Sequence, residues 1–147
     1  MRIRQATPDD EAEVTDLLRR FMEFEKTDLL SDEEYRKVFL TVLGQPERTR
    51  FIVAETDEGL AGLMTIVIGY STWKGKTFLT IDDVYVKPEM RKQGAATALL
   101  EYAFSLAKDL DCARVDLLTE VDNYRAQALY KKLGFEPVPR IPFTRPV

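Results

Sequence analysis

The hexapeptide Arg91-Lys92-Gln93-Gly94-Ala95-Ala96 is the stretch whose residue types and spacing best suit a defined chemistry. It follows a strand-like run, Thr80-Ile81-Asp82-Asp83-Val84-Tyr85-Val86, and leads into a helix-like run from Thr97 to Leu110. A small-residue turn that opens a helix after a strand can hold an anion. The unpaired N–H groups of the first helical turn point outward, and small side chains let a phosphate reach the backbone. Arg91 and Lys92 add positive charge at the entrance. The plainer reading is a strand-to-helix turn with surface cations. Just upstream, Asp82 and Asp83 put two adjacent acids inside a β run, where Asp is disfavoured. Strand alternation predicts that they face opposite sides, so that at most one enters a core-side cleft directly. One solvated acid and one salt-bridged acid is the alternative.

Other chemistries are excluded by what is missing. There is no G-x-x-x-x-G-K-[ST] and no G-x-G-x-x-G, which argues against a P-loop and a dinucleotide-binding unit. The 147 residues include no histidine. That removes Ser-His-Asp and Cys-His catalysis and His-based zinc sites, and no metal is expected. Acid–base work near neutral pH must therefore use Asp, Glu, Tyr, Lys, Cys or water. Cys112 is the single cysteine. It allows no intrachain disulfide and reads as a structural thiol rather than an acyl carrier. The net charge of −4 does not favour nucleic acid as a partner. No apolar run is long enough for a membrane span, and Met1 to Gln5 lacks an apolar targeting segment. A cytoplasmic location is the expectation.

The elements that must position these residues can be read in order. Hydrophobic residues make up 45% of the chain and charged residues 31%, which suits one globular domain over residues 1–147. Arg2 to Ala6 reads as a first strand. Thr7-Pro8-Asp9-Asp10-Glu11 starts a helix: a capping hydroxyl, Pro in the first turn, then acids at the positive end of the dipole. Val14, Leu17, Leu18 and Phe21 recur at helical spacing. Ser31-Asp32-Glu33-Glu34 is a capping box for a second helix carrying Tyr35, Val38, Phe39 and Val42, ended by Gly44 and Pro46. Phe51 to Ala54 and Leu60 to Tyr70 form a hairpin around Asp57-Glu58-Gly59. Thr77 to Val86 is the next strand, closed by Pro88. A helix with Leu99, Leu100, Ala103, Leu106 and Ala107 on one stripe follows. Arg114 to Thr119 reads as a strand, and Asn123 to Leu133 as a helix ended by Gly134. Phe135 onward is expected to be extended, since four prolines rule out another helix. The order β-α-α-β-β-β-α-β-α-β describes an α/β chain with a mixed sheet flanked by helices.

Two blocks then carry a resemblance. Val84-Tyr85-Val86-x-Pro88-Glu89 precedes Arg91-x-x-Gly94-x-Ala96-Thr97-Ala98-Leu99-Leu100, and Asn123-x-x-Ala126-x-x-Leu129-Tyr130-x-x-x-Gly134-Phe135 follows. Together, from Thr80 to Phe135, they resemble the acetyl-CoA-binding core of the GNAT superfamily of N-acetyltransferases. The family usually has Gly where Ala96 stands. The element order read above is also that of the GNAT fold. Phe24-Glu25-Lys26, Tyr70-Ser71-Thr72-Trp73-x-Gly75 and Ile81 to Val86 resemble the diamine (spermidine/spermine) and thialysine acetyltransferase branch, in which a homodimer is usual.

The resemblance implies a division of labour. The backbone N–H groups of Arg91, Lys92, Gln93, Gly94, Ala95 and Ala96 would hold the pyrophosphate of acetyl-CoA. The backbone of Val84, Tyr85 and Val86 would pair with the pantetheine arm like an added strand. Asn123 would bond the same arm, cap the last helix, or do both. Tyr130 would protonate the departing thiolate; the alternative is a core Tyr. Asp82, through water, is the first candidate base for the amine, although the family counterpart is usually the longer Glu. Asp83 is its alternative or a substrate-binding group. Glu25 and Trp73 would help to bind a cationic amine by charge and cation–π contact, or else be surface residues. The implied reaction is direct attack by a primary amine on acetyl-CoA, with diamines, polyamines or basic amino-acid derivatives leading. A protein N-terminus, an aminoglycoside, or a non-catalytic acyl-CoA-sensing role are the alternatives.

Overall fold

The computed structural model describes all residues from Met1 to Val147. Its centre is a five-stranded sheet in sequential order: β1 (Arg2–Gln5), β2 (Thr49–Thr56), β3 (Gly59–Ser71), β4 (Lys76–Val86) and β5 (Val115–Leu117). The first three pairings are antiparallel and β4 with β5 is parallel. That last pairing needs a crossover, which α3 (Ala95–Asp109) supplies. The helices α1 (Glu11–Phe24) and α2 (Asp32–Leu43) bridge β1 and β2, and α4 (Tyr124–Lys132) follows β5.

The middle strands are buried on both faces, which explains their continuous apolar runs. Phe51 and Val53 of β2 join Val14, Leu17 and Phe39 in a cluster beneath α1 and α2. Ile52 and Ala54 turn to the other face, against Leu99, Leu100 and Ala103 of α3. One strand thus feeds two cores through its two-residue period.

Local signals set the helix starts. The Ser31 hydroxyl accepts from Glu34 N at 3.1 Å, and the Glu34 carboxylate accepts from Ser31 N at 2.7 Å, completing the expected capping box. At the first helix, Asp10 accepts from Thr7 N at 2.7 Å while Arg4 clamps the same carboxylate.

Two expectations are corrected. The strand anticipated over 114–119 pairs only at Val115–Leu117, because the neighbouring β4 bulges at Asp82 and the two strands diverge. The closing strand after Gly134 does not form. Prolines 137, 139, 142 and 146 lack the N–H that a ladder requires.

Candidate active site

The divergence of β4 from β5 creates the site. Beyond Ile81, β4 keeps its β3 partner through Val86 but loses β5. Val84, Tyr85 and Val86 therefore have no strand partner on the β5 side, although the Val86 carbonyl already accepts from Arg91 Nε. A cavity of about 470 Å³ runs along this edge, between the end of α1, the start of α3 and α4.

The expected anion turn lies in its wall. A short 3-10 turn, Pro88–Met90, leads out of β4. Lys92 (φ 62°) and Gly94 (φ 84°) both adopt left-handed conformations, so the backbone folds into a concave loop of N–H groups. The helix bond from Ala98 N to Gly94 O, 2.9 Å long, closes the first turn of α3. The N–H groups of Ala95, Ala96 and Thr97 precede that closure and have no carbonyl one turn back. A Cβ on Gly94 would meet no atom within 4 Å and would stand in open space. Only Gly adopts this φ without strain. Ala95 is buried under α3 against the core, and Ala96 borders the cavity.

Arg91 borders the cavity with part of its side chain engaged by the wall. Its Nε donates to Val86 O at 3.0 Å, and its guanidinium lies 5.1 Å from the Phe24 ring centre and 6.0 Å from that of Tyr85. The side chain folds back along the strand and forms part of the wall, so Lys92 is the freer cation at the entrance. Gln93 is exposed on the turn and does not border the cavity.

Across the cavity stand Asn123 and Tyr130. Asn123 caps α4, its Oδ1 accepting from Ala126 N at 3.2 Å. Its amide NH₂ makes no hydrogen bond within the chain, so the cap leaves that group free. Tyr130 is half-buried, and burial alone pushes its hydroxyl above the ordinary phenol range. It therefore stays protonated well past neutral pH. Phe135 fixes the ring: it meets Tyr130 edge-on at 5.9 Å and packs on Phe104 at 5.1 Å.

The two acids are arranged differently from the alternation rule. Thr65 pairs with Asp83 but Ile66 pairs with Ile81, which makes Asp82 the extra residue of a β-bulge. Asp82 and Asp83 consequently border the same cavity, a second one of about 580 Å³ next to α1 and α2. Asp82 is exposed. Asp83 is half-buried. Burial pushes the Asp83 carboxyl above the usual carboxylate range, with the charges of Asp82 and Glu25 adding to the rise. The Thr65 hydroxyl approaches closely enough to offset part of it. The cause of that offset is a loose hydrogen bond between the two side chains, the buried Thr65 Oγ1 having no other partner. Glu25, just past the end of α1, borders the first cavity. Trp73 sits on the β3–β4 turn, 87% exposed and outside both cavities, so this chain does not bring it to the expected amine site.

Sequence reasoning missed Phe24 and Thr65 as residues that border the two cavities, and named Tyr85 for its backbone alone. Thr65 had a visible signal: it is the one polar side chain between Leu60 and Ile68. A lone hydroxyl in such a run needs either a partner or a ligand.

Comparison with known proteins agrees with this geometry. Residues 12–135 match the model of the acetyltransferase (GNAT) family. Thialysine N-epsilon-acetyltransferase of Bos taurus is 32% identical over 143 residues, covering 90% of this chain and 82% of its own. A crystal structure of a "probable acetyltransferase" superposes with a TM-score of 0.90 at 31% identity, covering 100% of this chain and 98% of that one. An aminoglycoside N-acetyltransferase solved in complex with CoA has a TM-score of 0.83, covering 99% of this chain and 93% of its own. Its 20% identity makes that likeness one of fold.

Proposed function

The chain belongs to the GNAT family of acetyltransferases, and from that premise we propose that it moves the acetyl group of acetyl-CoA to a primary amine by direct attack. GNAT enzymes use acetyl-CoA, and the lining of the first cavity supports its binding there. The observation that carries the reading is the edge of Val84–Val86 that β5 leaves unpaired, leading into the uncapped start of α3, with Tyr130 on the facing wall. The edge suits the amides of a pantetheine arm. The turn from Lys92 to Ala96 suits a pyrophosphate, with Arg91 shaping the wall and Gln93 at the rim. Asn123 offers its amide to the same arm.

Bound acetyl-CoA supplies the acetyl group as a thioester. The chain's own residues handle protons. An amine arrives as an ammonium ion and must lose one proton before it can attack. Asp83, rather than Asp82, takes it. Its raised affinity for a proton makes it the better base, whereas Asp82 is exposed to solvent. The Tyr130 hydroxyl holds the proton that the departing sulfur needs. As the C–N bond forms and the C–S bond breaks, the nitrogen loses a second proton, which restores Tyr130. The first proton leaves Asp83 for solvent. Glu25 adds negative potential near Asp83 and favours a cationic acceptor.

The test is free-thiol release from acetyl-CoA across diamines, polyamines, basic amino-acid derivatives, simple alkyl and aryl amines, aminoglycosides and short peptides. The similarity to a thialysine acetyltransferase is why basic amino-acid derivatives are in the panel. Turnover confined to one amine class supports the reading. Tight acetyl-CoA binding with no turnover on any amine would replace it with a sensing role.

A further inference from the structure

The wall of the first cavity is cationic in a chain that is acidic overall. Arg91, Lys92 and Arg125 border it against the single acid Glu25, while the whole chain carries −4. Arg91 is accounted for: its Nε donates to Val86 O and its guanidinium lies over Phe24. Lys92 and Arg125 are not. Neither takes part in an ion pair of this chain. Each also sits against a local preference. Lys92 holds φ 62°, in the left-handed region that Gly fills more readily. Arg125 is the second residue of α4, whose first turn carries no acid, so its charge faces the positive end of the helix dipole. No ion pair offsets either placement, and uncompensated departures of this kind gather at functional sites. Two unpaired cations from separate elements on one cavity wall call for an anionic ligand.

We infer that Lys92 and Arg125 recognise the phosphate monoester on the ribose of acetyl-CoA and make the chain selective for co-substrates that carry it. This rests on the acetyltransferase reading, and gives a partner to the one charged group of the co-substrate that lacked one. The pyrophosphate has the N–H groups that open α3. The monoester is separate from it, carries a charge of about −2 at neutral pH and offers three acceptor oxygens. A helix end supplies only about half a charge, so a group of that charge density needs whole cations. Lysine brings a mobile point charge with several donors, and arginine a planar fork that fits two oxygens of one phosphate. Both residues are exposed, whereas Tyr130 is half-buried. That matches a ligand whose ribose phosphate meets solvent and whose thioester does not.

Calorimetric titration can compare acetyl-CoA with acetyl-dephospho-CoA, which keeps the thioester, the pantetheine arm and the pyrophosphate and lacks only the monoester. The wild-type chain should bind acetyl-CoA about tenfold or more tightly than the dephosphorylated compound. Lys92→Gln and Arg125→Gln should each weaken acetyl-CoA about fivefold, the upper range for an exposed ion pair. Affinity for acetyl-dephospho-CoA should stay within about twofold in both variants, which also reports an intact cavity. The double variant should bind the two compounds alike. Equal wild-type affinity for both compounds would overturn the inference. So would variants that weaken both compounds to the same degree, since the cations would then serve the pyrophosphate. Either result leaves the acetyl-CoA reading standing. A wild-type chain that binds neither compound would overturn that reading, and this inference with it.

Discussion

Tyr130 and Asp83 depart from ordinary acidity in the same direction, for the same reason, with opposite uses. Burial disfavours the charged form of each. For Tyr130 that preserves a proton to give. For Asp83 it strengthens the grip on a proton received. Tyr130→Phe should lower kcat by about 10²- to 10⁴-fold, the usual span for a lost general acid. Acetyl-CoA affinity should stay within twofold, as steady-state thiol release and a parallel titration would reveal. Asp83 must be ionised to work, so kcat/KM should fall as pH drops through its raised pKa. That limb lies above the ordinary carboxylate value of about 4 and should vanish in Asp83→Asn. Stability has the opposite sign. A carboxyl whose folded pKa exceeds its unfolded one stabilises the fold below the unfolded value, and that contribution is lost as pH rises through the folded value. Asp83→Asn should therefore have a higher Tm than wild type near neutral pH, with the gap closing in acid. A Tm lower than wild type at pH 7 would contradict the cause assigned to the shift.

The bulge in β4 and the turn before α3 do what no single side chain does. The bulge lets β5 part from β4 and leaves the Val84–Val86 edge without a strand partner on the β5 side. It also rotates two consecutive acids towards one cavity. The turn depends on Gly94 at φ 84°. Gly94→Ala forces a Cβ into the left-handed region, at a cost of about 1–2 kcal/mol, and intrudes on the anion seat. CoA affinity should fall at least tenfold, and unfolding in urea should register the stability loss. A Gly94→Ala variant that binds CoA as well as wild type would remove the phosphate from this turn. Arg91 belongs here too. Its bond to Val86 O and its stacking on Phe24 tie the end of α1 to the end of β4.

Across the molecule, the two helix layers must be held at a fixed separation, because the site lies where they meet the splayed sheet. One tie, between the start of α1 and the β1–β2 edge of the sheet, is ionic. Arg4 of β1 bonds Asp10 at 2.7 Å and Glu55 of β2 at 3.0 Å, with Asp10 largely buried. Arg4 holds the Asp10 carboxyl well below its usual range. A depressed pKa contributes stability above the unfolded value, and that contribution is lost as pH falls through the folded one. Asp10→Asn should cost about 2–3 kcal/mol at pH 7, less than the roughly 3–5 kcal/mol for a fully buried pair because Glu55 still pairs Arg4. Denaturant titrations at pH 7 and pH 2.5 should reveal a difference that shrinks in acid. A difference that is constant with pH would mean that the tie acts through packing instead of charge.

Much of this was legible in the chain itself. Helix starts at Ser31 and Asn123, the two-faced apolar strands and the small-residue turn at Gly94 depend on caps, side-chain period and φ. These are interactions among residues a few positions apart, so residue order alone carries them. The family blocks from Thr80 to Phe135 are of the same local kind. Other features were settled by contacts between residues far apart. The register of β3 against β4 put the bulge at Asp82 and aligned both acids on one cavity. Burial between layers raised the affinity of Asp83 for a proton and set the buried Thr65 hydroxyl beside it. The meeting of α1 with β4 turned Arg91 inward, and the β3–β4 turn carried Trp73 away from the site. Register and burial follow from how the whole chain packs, and one short segment cannot encode them.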